Sequence, residues 1–97
     1  MYTSIRRYRI DKSKMEELTR RVEEGFIPIL AKRQGFVSYY LVDGGEGELA
    51  TISVFDNQEG AEISNALAKE WVEENLGDVE LGPPEITAGE IVTHKQA

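Results

Sequence analysis

The chain has 97 residues, no cysteine, one histidine and a formal net charge of −7 at neutral pH. A chain of this length folds as one domain around a modest core, burying roughly 60–70% of the surface its unfolded form exposes. One domain spanning residues 1–97 is therefore expected. Zero cysteine excludes disulfide scaffolds, thiolate zinc sites and cysteine nucleophiles, and a single histidine excludes a multi-histidine metal centre. With 40% hydrophobic and 30% charged residues, the composition is that of a folded chain and not of a disordered one.

The charge is unevenly placed. Residues 1–48 carry nine Lys or Arg against eight Asp or Glu, whereas residues 49–97 carry only Lys69 and Lys95 against ten acids. An acidic chain is poorly suited to the phosphate backbone, so no nucleic-acid partner is expected. The one basic cluster, Arg6, Arg7 and Arg9, reads as a strand with solvated side chains in preference to an anion site. Arginines interrupt the first ten residues, no apolar run has the length of a signal h-region, and none reaches the ~20 residues of a membrane span. A cytoplasmic protein without membrane contact is expected.

Tyr2 to Ile10 mixes β-branched, aromatic and basic residues and predicts a first strand. Ser13-Lys14-Met15-Glu16 has the Ser-x-x-Glu pattern of a capping box, and predicts a helix start. Met15, Leu18, Val22, Phe26 and Ile29 then recur at spacings of three and four, the apolar stripe of an amphipathic helix. Gly25 and Pro28 lie inside that stripe and predict a kink or break between them, because proline lacks the amide donor. Phe36–Asp43 and Glu48–Phe55 read as two strands joined across Gly44-Gly45-Glu46-Gly47, a glycine-rich hairpin connection. A second helix follows, capped by Asp56 or Asn57. Its inner face is Ala61, Ser64, Leu67, Ala68, Trp71, Val72 and Asn75, and Gly77 is the expected stop. After Gly82-Pro83-Pro84, a last strand is expected from Ile86 to about Thr93.

The order is β-α-β-β-α-β. It predicts an α+β, ferredoxin-like protomer with both helices on one face of an antiparallel sheet. The other face should then be polar. Instead Phe36, Tyr40 and Val42 alternate with Val37, Tyr39 and Leu41, and Leu49 and Phe55 with Ala50, Ile52 and Val54, so both faces are apolar. A second cover is needed, and another copy of the same chain is the simplest source. A homodimer through the open sheet face is predicted.

The element order, the Gly35-Phe36-Val37 start of the second strand and the Trp71-bearing second helix resemble the antibiotic biosynthesis monooxygenase-like family. Gln34-Gly35-Phe36 stands where many members have Pro-Gly-Phe, and the resemblance covers about residues 2–94. It implies a dimeric α+β barrel with a pocket between sheet and helices in each protomer. Characterised members oxygenate polycyclic phenols or quinols without a redox cofactor, and others degrade heme. Heme-degrading members use an asparagine on the first strand with a histidine and a tryptophan near the second helix. This chain has no such asparagine, and its histidine is His94, so heme is disfavoured. Phenol-oxygenating members use asparagine and tryptophan on the second helix, and Asn65 and Trp71 are of those types. Six residues apart, they lean to different sides of a helix.

The resemblance therefore implies a small aromatic ligand and no cofactor. The pocket candidates are Trp71, Asn65, Phe26, Tyr39 and Tyr40; the catalytic residues stay unassigned. For Trp71 and Phe26 the plainer reading is core packing, and for Asn65 it is a surface position. Tyr39 and Tyr40 should face opposite sides of the sheet, so that at most one lines any one pocket. His94 lies near the chain end, and Glu70, Glu73 and Glu74 read as a solvated acidic face. A cavity of about 300 Å³ or more favours a ligand, and a solid core favours a structural role.

Overall fold

The computed structural model describes residues 1–97. The chain runs through β1 (Tyr2–Arg9), a 3₁₀ turn (Lys12–Lys14), α1 (Met15–Arg21), a π-helical turn (Val22–Phe26) and α2 (Ile27–Ala31). It continues through β2 (Phe36–Gly45), β3 (Glu48–Phe55), α3 (Gln58–Asn75) and β4 (Glu85–Glu90). The strands form one antiparallel sheet in the order β2-β3-β1-β4, the expected ferredoxin-like topology.

Local chemistry moved several boundaries. The predicted capping box at Ser13 does not form. Asp11 instead accepts from both the Ser13 amide, at 2.9 Å, and the Ser13 hydroxyl, at 2.8 Å, and so starts a 3₁₀ turn ahead of α1. A charged carboxylate two residues upstream is the stronger acceptor, and it occupies the serine. The interruption expected near Gly25–Pro28 takes the form of a π-helical turn and not of a break. The chain widens into the π-helical turn, where the Ile27 amide bonds to the Val22 carbonyl, and Pro28 falls in the first turn of α2, where its missing donor costs nothing. The wider turn also advances the apolar stripe. Leu30 is fully buried, whereas Ile29 is 41% exposed.

The hairpin is tighter than the glycine run implied. β2 extends to Gly45, and the turn is Glu46-Gly47, both at positive φ (52° and 83°). At Gly47 a side chain would place its Cβ 2.2 Å from the Ile10 carbonyl oxygen, so glycine is required on two grounds. Asn57, not Asp56, caps α3 by accepting from the Gly60 amide at 2.8 Å. Gly77 falls directly after the C-cap residue Leu76, where a stop is expected, though not at positive φ. The helix ends at Asn75, whose side chain donates to the Trp71 carbonyl at 3.0 Å and leaves that residue exposed. β4 stops at Glu90, short of Thr93, because its partner β1 begins at Tyr2. Ile91 is held only by its amide donating to the Met1 carbonyl, and Val92 lies in the open.

A bulge at the start of β2, between Phe36 and Ser38, changes the predicted face of Phe36. The extra residue puts Phe36 on the helix side with Tyr39 and Leu41, not with Tyr40 and Val42. There its ring meets that of Phe55 edge-on at 5.7 Å. One core joins Met15, Leu18, Val22, Phe26 and Leu30 from the first helical stretch to Leu49 and Phe55 of β3 and Ala68 of α3. The opposite face of the sheet keeps Tyr40 56% and Val42 43% exposed. No helix is long and apolar enough to cross a membrane.

Candidate functional site

The layer between helices and sheet has two different ends. At the aromatic end, Trp71 on α3 lies against Gly25 of the π-helical turn, where an added Cβ would sit 3.0 Å from the indole Cζ2. The missing side chain is what lets the helix backbone approach the ring. Phe26 packs 5.4 Å from Trp71 at an interplanar angle of 42°, and 5.9 Å from Tyr39 at 70°, close to edge-on. Edge-to-face and tilted pairs at these separations are favourable, because the electron-poor rim of one ring meets the face of the next. The three rings border an apolar cavity of about 30 Å³, closed further by Tyr8, Leu41 and Leu81. That is room for about one water molecule, well below the size of a formed ligand pocket.

At the polar end, Ser4, Arg6 and Tyr8 alternate along β1 toward the helices, and all three are buried. Arg6, expected in solvent with Arg7 and Arg9, is only 7% exposed. Strand alternation decides this: Arg7 and Arg9 share the outer face, while Arg6 follows Ser4 inward. The Arg6 Nε donates to the Tyr8 hydroxyl at 2.8 Å, and Nη1 donates to Asn65 Oδ1 at 3.3 Å. The guanidinium also lies 5.7 Å from the centre of the Tyr8 ring. Ser4 Oγ donates to the same Asn65 oxygen at 2.5 Å. Next to this group the hydroxyls of Ser53 and Ser64 pair at 3.3 Å, and Ser64 donates to the Ala61 carbonyl at 2.7 Å.

Tyr8 and Tyr39 link the two ends. The ring of Tyr8 borders the aromatic cavity while its hydroxyl accepts from Arg6. Burial pushes the Tyr39 phenol up to about 12, against smaller opposing effects of the Thr51 hydroxyl and the Arg6 charge. At neutral pH Tyr39 is therefore a neutral hydroxyl, able to donate or accept a hydrogen bond but not to serve as a phenolate base.

Of the residues singled out from the sequence, Trp71, Phe26 and Tyr39 come together as one wall. Phe26 is a core residue as well, and Trp71 is half-buried. Asn65 is not a surface residue: it turns to the sheet and joins β1, away from Trp71. Tyr40 lies on the open face. A groove of about 350 Å³ along the β2 edge nonetheless touches both Tyr39 and Tyr40, contrary to expectation, because it wraps around an edge strand. His94 follows β4 in an exposed segment, and Glu70, Glu73 and Glu74 are solvated. Ser4, Arg6 and Tyr8 were missed as a group. Their spacing of two was visible, but both faces of β1 carry polar residues, so nothing in the strand marked which face the helices cover.

No protein-family model matches the sequence, and no curated protein matches it significantly. Solved structures match over nearly the full chain. A Deinococcus radiodurans protein provisionally assigned as an antibiotic biosynthesis monooxygenase superposes with a TM-score of 0.78 at 15% identity, over 100% of this chain and 98% of that one. A Streptomyces coelicolor monooxygenase, solved with nanaomycin D, gives 0.77 at 13% identity over 99% and 91%. A dimeric ferredoxin-like protein from an uncultured marine organism gives 0.77 at 15% over 99% and 98%. This chain therefore has the ferredoxin-like fold of the antibiotic biosynthesis monooxygenase-like and dimeric ferredoxin-like structures, at identities that establish the fold alone.

Proposed function

We propose that this protein is a homodimer that binds a small, flat aromatic or quinol molecule between its helices and sheet, and oxygenates it without a cofactor. The observation that carries the reading is the meeting of Phe26, Tyr39 and Trp71, from three different elements, at a π-helical turn. Stacked and edge-on rings are suited to hold a flat aromatic, and π-helical turns frequently mark functional sites. In cofactor-free oxygenation the substrate supplies the electrons. The protein's part is then to hold the ring, exclude water and admit dioxygen. The nanaomycin complex of the Streptomyces neighbour supports such a ligand on this fold. The experiment is oxygen uptake with a panel of phenols and quinols. Turnover that falls by about tenfold or more in Trp71→Ala supports the reading, and no uptake above background for any of them removes the catalytic part.

The small cavity of about 30 Å³ weighs against a preformed substrate pocket and motivates a second reading, a non-catalytic ligand-binding or stress-related module. A bound ring must then enlarge that space, with the π-helical turn as the segment to move. Calorimetric binding without oxygen uptake selects this reading. For the dimer, the support is the exposed Tyr40 and Val42 on the open face, and a neighbour named as dimeric. Light scattering should give twice the 10.9 kDa chain mass, and the Tyr40→Asp, Val42→Asp double variant should give the single mass.

A further inference from the structure

Arg6 poses a problem of charge. It is only 7% exposed, yet it takes part in none of the ion pairs of the molecule, in a chain with eighteen carboxylates. A buried cation without a counter-charge is costly, and proteins rarely retain one. Its internal hydrogen bonds do not remove the problem. They use Nε and Nη1 on two neutral acceptors, Tyr8 and Asn65, and leave both Nη2 hydrogens without a protein acceptor. Every side-chain nitrogen or oxygen that is sealed from solvent has a partner, so the unpartnered Nη2 must reach accessible space.

Asn65 shows the same polarity. Its Oδ1 is taken by Ser4 and Arg6, which fixes the carboxamide so that Nδ2 carries the remaining donors, and those have no protein acceptor. Two linked side chains thus offer unpaired N–H donors, one of them charged, and no acceptor. Tyr8 joins this group to the aromatic cavity, its hydroxyl on Arg6 and its ring on the cavity wall.

We propose that Arg6, with Asn65, forms the anion-recognition end of the ligand site, so that the ligand is a flat aromatic bearing an anionic oxygen, as a carboxylate or a phenolate. The proposal rests on the reading of the helix–sheet layer as an aromatic site, and adds the charge of the ligand and the residue that selects it. An incoming anionic oxygen supplies the acceptor that Nη2 and Nδ2 lack and the counter-charge that Arg6 lacks. Ser4 and Tyr8 act as positioning residues, holding Asn65 and Arg6 in place.

The test is calorimetric titration of the full chain with naphthoate and its neutral isostere naphthamide. Dinitrophenolate serves as a third arm, to separate phenolate from carboxylate preference. The expected result is that at least one anion binds about tenfold to a hundredfold tighter than naphthamide, the range a charge-assisted hydrogen bond produces. Arg6→Met should abolish the preference, bringing the affinity for the anion down to that for naphthamide. Asn65→Asp retains the oxygen that Ser4 and Arg6 donate to, but places a carboxylate beside the guanidinium. It should lose anion binding in a folded protein, which keeps the test decisive if Arg6→Met does not fold. Equal binding of all three probes overturns this proposal and leaves the aromatic site standing, whereas binding of none overturns both.

Discussion

The two ends of the helix–sheet layer are built by opposite rules. Around Leu18, Phe26 and Leu49 the contacts are apolar and their number sets the stability, since each buried methylene contributes by leaving water. Around Ser4, Arg6 and Asn65 the contacts are polar and few, and a charge is held where an apolar side chain would be cheaper. A layer optimised for stability would continue the first pattern to its edge. The proposed anion contact of Arg6 and Asn65 would account for keeping the second at one end.

That contrast can be tested by substitution. The largest effect is expected at the apolar end: Leu18→Ala, at a residue 1% exposed, should cost about 2–5 kcal/mol by urea denaturation, as transfer and cavity losses add. At the polar end, Arg6→Met should be neutral or stabilising by up to about 2 kcal/mol, since it removes an uncompensated buried charge of similar length. A loss as large as that of Leu18→Ala would show that the arginine holds the fold together, and the contrast would collapse.

The smallest effect is expected outside both ends, where Arg21 ties α1 to the segment after α3. Its guanidinium meets Asp78 at 2.7 and 2.9 Å and Glu17 at 3.0 Å. The arginine holds the Asp78 carboxyl down from its ordinary 3.8 to about 2. A depressed carboxylate stabilises the fold above its unfolded value, and that contribution is lost as pH falls through its folded value. The melting temperature of the parent should therefore exceed that of Asp78→Asn slightly at neutral pH, and the difference should vanish as pH falls from about 4 to about 2. A difference unchanged across that range would remove the ion pair as its source.

Much of the fold was legible because it depends on short-range pattern. The stripe from Met15 to Phe26, the two β-rich runs after Gly35 and the glycine-rich connection at Gly44-Gly45-Glu46-Gly47 each act within a few residues. What failed in detail failed where a neighbour competed: Asp11 displaced the cap at Ser13, and the π-helical turn absorbed Pro28. The aromatic half of the candidate site was legible too, since Phe26, Tyr39 and Trp71 are large, apolar and periodic. The polar half was not. Which side of β1 faces α3 is decided by pairing with β3 and β4, partners 39 to 88 residues away in register.

By itself the sequence determined the order of elements, the apolar character of both sheet faces and the exclusion of cysteine and multi-histidine chemistry. These follow from composition and local periodicity. Only the tertiary structure decided that Arg6 is inside and Arg7 outside, that Asn65 and Ser4 meet across sixty-one residues, and that the aromatic cavity is small. Burial and charge compensation are properties of what surrounds a side chain, and those surroundings exist only once the helices are packed on the sheet.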